Sequence, residues 1–144
     1  MNTREAYQTA LELRENLQDE ARQKGIDEEF ISRLVDDFYL KVRGDPILGP
    51  IFDDVIQDNW PEHLLRMKKF WASMALRTGD YKGKPMVVHR ALKTGRPEHF
   101  GIWLALFEET LDEISPTPEA KAHFMDLANV MAVRLSSAMF GERF

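Results

Sequence analysis

Apolar residues recur at three- and four-residue spacing along almost the whole chain, and no stretch of strict apolar/polar alternation lies between turn residues. That periodicity restricts the fold to the all-α class. At 144 residues the chain has the size of one domain. With 44% apolar and 30% charged residues it has the composition of a chain that buries a core rather than one that stays disordered. There is no internal repeat and no linker.

The helices can be placed from their start and stop signals. Asn2, with Glu5 three positions later, reads as a capping box opening a strongly charged helix that runs to about Lys24, where Gly25 stops it. Asp27 reads as the N-cap of a second helix, with Phe30, Ile31, Leu34, Val35, Phe38 and Val42 in one stripe and Gly44 followed by Asp45-Pro46 at its end. Tyr39 falls at the margin of that stripe. The segment LGPIFDDVI carries Gly49-Pro50 and is expected to form only short helical turns. A third long helix starts near Asn59, tolerates Pro61 in its first turn and sets Trp60, His63, Leu64, Met67, Phe70, Trp71 and Met74 along one face. After the loop TGDYKGK, Pro85 opens a short helix with Met86, His89 and Leu92 inward. Pro97 opens another with Phe100, Trp103, Leu104, Phe107, Leu111 and Ile114, and Thr117 caps a last helix that ends at Gly141.

Several classes of function are excluded. The chain has no cysteine, so disulfides, thiolate-held metals, iron–sulfur clusters and a cysteine nucleophile are absent. Phosphate-binding glycine loops, zinc-protease motifs and the serine nucleophile elbow are absent too, as is the Glu-x-x-His of di-iron bundles. Glu119 and His123 stand four apart on the last helix, but two ligands do not complete a coordination shell. A net charge of −5 with dispersed lysine and arginine argues against a nucleic-acid surface. Nowhere do eighteen apolar residues run together, so no membrane span is expected and the cytoplasm is the default compartment.

What remains is a pair of histidines, His63 and His89, on the apolar faces of different helices among Trp, Phe, Met and Leu. A buried imidazole nitrogen without a partner costs on the order of 1–3 kcal/mol, so each ring must hold a hydrogen bond, a metal or a ligand. Taken singly, each reads better as a core histidine bonded to a backbone carbonyl, and only the pair asks for more. Neither lies in a carboxylate cluster, which disfavours zinc and calcium. A haem, large, flat and apolar with one demanding metal centre, suits both surroundings.

Four runs then point to a family. FYLKVRGDPILGPIF, WPEHLLRMKKFW, GDYKGKPMVVH and HFGIWLALFEETL, in that order over most of residues 38 to 111, resemble the third group of truncated haemoglobins. The resemblance implies a globin-like, two-over-two helical sandwich over residues 25–144; residues 1–24, which it does not cover, read as an extra N-terminal helical extension. It implies haem b as cofactor, His89 as proximal iron ligand, His63 as distal histidine, and Tyr39 and Trp103 as polar distal residues. Phe52, Met67, Phe70 and Leu92 would wall the haem, and Arg66 and Tyr81 would reach its propionates. Lys82 and Lys84 read as solvent charges or as partners for the propionates. By pattern alone Trp103 reads as core and Tyr39 as a ring whose hydroxyl reaches solvent. His99 reads as exposed or capping, and the methionines as core fillers.

The function implied is binding of a small diatomic ligand, dioxygen, nitric oxide or carbon monoxide. Carriers and peroxidases share a histidine ligand, so the residues do not decide between a carrier and an enzyme turning over nitric oxide, peroxide or sulfide with an unidentified reductase. The alternatives are a haem-free helical interaction module, in which both histidines are structural, and a redox sensor without a fused output domain.

Overall fold

The computed structural model describes residues 3–76 and 96–140, and those residues contain helices and turns but no strand. Helix α1 spans Thr3–Gln23, α2 Glu28–Gly44, α3 Leu48–Ile56, α4 Trp60–Leu76, α5 His99–Ile114 and α6 Pro118–Phe140. A 3-10 turn, Gln57–Asn59, leads into α4.

Helix α2 is the centre of the domain because its stripe is apolar on both flanks. Asp27 lies in extended backbone and its carboxylate accepts the Phe30 N–H at 2.8 Å, the expected cap. All six residues of the stripe are buried, and Tyr39 with them. The helix packs against α3, α4 and α5. Pairs α2/α4 and α5/α6 form two layers joined where α2 meets α5, while α3 bridges α2 and α5. Cross-helix ion pairs rim this arrangement: Lys68 to Asp36 at 3.0 Å, Lys41 to Glu113 at 2.8 Å and Lys121 to Asp112. Each is partly exposed and worth little by itself.

The segment after α2 departs from expectation. It is a continuous nine-residue helix, α3, rather than short turns. Pro50 falls in its first turn, where no backbone N–H is needed, and Asp45 caps from outside by accepting the N–H groups of Ile47 at 2.9 Å and Leu48 at 2.8 Å. Gly49 is required here by space. A β-carbon on it would sit 2.6 Å from the Arg43 carbonyl oxygen, so glycine lets α3 start directly against the end of α2.

The boundaries at Gly25 and Thr117 follow the local signals, α5 starts at His99, two residues after Pro97, and Asn2 and Gly141 lie outside the described residues. Thr117 Oγ1 accepts the Ala120 N–H at 3.0 Å at the start of α6 and donates to the Lys24 carbonyl, tying the α5–α6 turn to the end of α1. Gly25, at φ 86°, makes that end possible. His99, the first residue of α5, turns its Nδ1 back to accept the Arg96 N–H at 3.0 Å. Helix α1 buries only Ala21 and touches α4. Tyr7 and Leu13 on it are exposed. Among the described residues no helix is long and apolar enough to cross a membrane.

The core is aromatic where the layers meet. Phe107 is fully buried, edge-on to Phe38 at 5.1 Å and stacked on Trp71 at 5.2 Å and Trp103 at 5.6 Å. Phe107→Ala is expected to destabilise the fold by about 3–5 kcal/mol, through lost burial and an unfilled cavity, with urea unfolding followed by circular dichroism as the check.

Candidate functional site

Consecutive helical residues point about 100° apart, and α2 uses that offset to serve two sides. Phe38 faces α5, with its ring 5.5 Å from Trp103 and edge-on to it. Tyr39 turns toward α3 and α4, its ring 5.1 Å from His63, 5.9 Å from Trp60 and 6.2 Å from Phe52. The Tyr39 and His63 rings are perpendicular, at 89°. Trp60 stands one helical turn before His63 on α4 and meets it edge-to-face at 5.5 Å.

The electrostatics of this cluster follow from burial. Tyr39 is 5% exposed and its hydroxyl does not snorkel to solvent, contrary to the plainer of the two sequence readings. Burial pushes the phenol well above the ordinary tyrosine range, because a phenolate would lose its hydration among aromatic rings. Tyr39 therefore holds its proton at every pH near neutrality and remains a hydrogen-bond donor. His63 Nε2 is also sealed from solvent. Two polar side chains thus stand against the rings of Phe52 and Trp60.

The Tyr39 shift also carries a stability consequence. Below about pH 10 the phenol is protonated in folded and unfolded chains alike and contributes no pH dependence. Above that value the unfolded chain releases the proton while the folded chain keeps it, so stability falls as pH rises. Chemical unfolding at pH 9 and pH 11 is expected to show the loss in wild type and a smaller one in Tyr39→Phe.

The remaining expected site residues divide into three groups. Phe52, Met67 and Trp103 are half-buried and packed on the core, and Phe70 is buried on the same helix as His63. Trp103 lies one ring beyond Tyr39, across Phe38, and its stacking on Phe107 at 11° places it at the edge of the core. Arg66 is exposed, and its guanidinium bonds Glu62 at 2.8 Å along the surface of α4. His89, Tyr81 and Leu92, with Lys82 and Lys84, lie outside the described residues. Among the described residues no group of three or more His, Asp or Glu is placed to hold a metal, and Glu119 with His123 forms no such group.

One constellation escaped sequence reasoning. The Trp60 indole N–H donates to Asp53 Oδ1 at 2.8 Å, and the Arg43 guanidinium lies over the Trp60 ring, 4.5 Å from its centroid. Arg43 also approaches Asp53 at 3.9 Å. Periodicity assigned Trp60 to a buried face and gave Asp53 and Arg43 no part. The nearest signal was the tryptophan itself, whose N–H demands an acceptor once buried.

No protein-family model matches the chain. It is 39% identical over 118 residues to the group 3 truncated hemoglobin ctb of Campylobacter jejuni, an overlap of 80% of this chain and 92% of that protein. The crystal structure of group III truncated hemoglobin from Campylobacter jejuni superposes with a TM-score of 0.74 at 37% identity, covering 82% of this chain and 96% of the other. The helical layers are thus those of a globin-like fold. Within that class, the chain belongs to the group 3 truncated haemoglobins.

Proposed function

We propose that this chain holds one haem b and reversibly binds dioxygen or another small diatomic ligand, with nitric oxide or peroxide chemistry as an extension of the same site. The observation that carries the reading is the pairing of buried Tyr39 with half-buried His63, their ring centroids 5.1 Å apart beside the rings of Trp60 and Phe52. The side chains fit a haem pocket: apolar rings to cover a flat macrocycle, with a tyrosine and a histidine in ring contact among them. His89 would hold the iron, with Phe52, Met67, Phe70, Leu92 and Trp103 covering the ring. Arg66 and Tyr81 would meet the propionates, for which Arg66 exchanges an exposed bond to Glu62, a small loss. The relative's name, a hemoglobin, supports the same cofactor.

When bound, ferrous haem supplies an open coordination position for a diatomic gas. The chain supplies the rest. Tyr39 holds its proton on the phenolic oxygen and donates it as a hydrogen bond to a ligand that carries partial negative charge. His63 adds a second polar atom, and the indole of Trp103 can only donate. The surrounding rings exclude water and so strengthen each of these bonds. The same donors would assist oxygen–oxygen cleavage, for which an unidentified reductase would return electrons.

Residues 25–144 are assigned to the globin domain and residues 1–24 to an added helix, in keeping with α1 burying only Ala21. A chain without cysteine gains nothing from an oxidising compartment, which agrees with a cytoplasmic site of action.

The test is a titration of the purified chain with haem, followed in the Soret region. Saturation at one equivalent, retained through gel filtration, is the expected result. A chain that folds but takes up no stoichiometric haem would be a helical interaction module instead.

A further inference from the structure

We infer that Asp53 and Arg43 form a clamp on Trp60 that positions the Tyr39–His63 pair, making Trp60 a positioning residue for ligand binding; this rests on the haem reading above. The indole is engaged on every side that matters. Its N–H is bound to the Asp53 carboxylate at 2.8 Å, its face is covered by the Arg43 guanidinium at 4.5 Å, and its ring meets Tyr39 at 5.9 Å and His63 at 5.5 Å. Trp60 is only 5% exposed, whereas the side chains of Arg43 and Asp53 are about half exposed, at 47% and 52%. A solvated charge pair therefore grips the outer edge of a buried ring whose inner side abuts the two distal polar residues.

Three elements converge through this grip. Arg43 comes from the last turn of α2, Asp53 from α3 and Trp60 from the first residue of α4. On α3 the adjacent residue, Phe52, meets Tyr39 at 6.2 Å, so the bond from Asp53 also sets how α3 presses on the phenol. On α4 His63 follows Trp60 by one turn, and its ring stands perpendicular to both Trp60 and Tyr39, at 89° in each case. A histidine wedged between two rings keeps one rotamer for as long as neither ring tilts. Loss of the Asp53 bond leaves a buried indole N–H seeking another acceptor, and the ring tilts to find one.

The test uses haem-loaded protein and the carbon–oxygen stretching band of its ferrous carbonmonoxy form, with dioxygen release as a second readout. Trp60→Phe keeps a ring but removes the N–H, Asp53→Ala removes the acceptor, and Asp53→Asn retains an acceptor oxygen. The clamp predicts that Trp60→Phe and Asp53→Ala each split or shift the band and speed dioxygen release by about fivefold, with Asp53→Asn close to wild type. In a Tyr39→Phe/His63→Leu background the same substitutions are expected to change nothing further. An unchanged band and release rate, or an equal effect in both backgrounds, would overturn the clamp while leaving the haem reading intact. Wild type without haem bands would overturn both. Should Asp53→Ala fail to fold, Trp60→Phe carries the comparison alone.

Discussion

Haem retention is expected to collapse in His89→Ala, with the Soret band lost from the protein fraction after desalting and affinity lower by on the order of a hundredfold or more. Of the four histidines, His99 is spent on the Arg96 N–H, His123 packs beside Phe124 on α6, and His63 is wedged between Tyr39 and Trp60. The resemblance to the group 3 truncated haemoglobins makes His89 the proposed iron ligand and His63 the proposed distal residue. His63→Leu should therefore keep its haem, and imidazole added to His89→Ala should restore part of the band. Retention of haem by His89→Ala together with its loss from His63→Leu would reverse the assignment of the two sides.

Tyr39→Phe is expected to leave haem bound and to speed dioxygen release by about ten- to a hundredfold. A hydrogen bond to an acceptor that carries charge contributes about 1.5–3 kcal/mol, and in a site closed to water the upper part of that range applies. The substitution is clean. Tyr39 packs as a ring among Phe38, Phe52, Trp60 and His63, and phenylalanine keeps that ring. Carbon monoxide, less polarised when bound, should gain far less speed. Stopped-flow displacement of each gas gives the comparison, and equal release from wild type and variant would remove the phenol from the account.

How much of this was legible beforehand depended on how local the cause was. The α2 stripe and its Asp27 cap could be read because both lie within one helix. So could Thr117 at the start of α6 and the glycine that ends α1. The helix α3 was misjudged because Gly49-Pro50 reads as a breaker, although proline in a first turn breaks nothing and Asp45 supplies the cap from three residues before Leu48. Tyr39 looked marginal on a helical wheel. It is buried because α2 is covered on both sides, by α3 and α4 as well as α5, and coverage from a second side leaves no mark in the periodicity of one helix. The Asp53–Trp60 bond needed the relative placement of α3 and α4, which no local pattern encodes. His63 was legible as an inward histidine, and its perpendicular fit against Tyr39 was not. Trp103 shows the opposite case, since its stacking on Phe107 bears out the pattern that reads it as core, and its polar part comes from the family resemblance.

The most direct test of the central claim is the absorption spectrum of the reduced, haem-loaded protein before and after exposure to carbon monoxide and then, separately, to dioxygen. The account predicts a Soret band that moves on addition of either gas and returns when the gas is removed, with one ligand bound per chain. A spectrum that neither gas changes would contradict it.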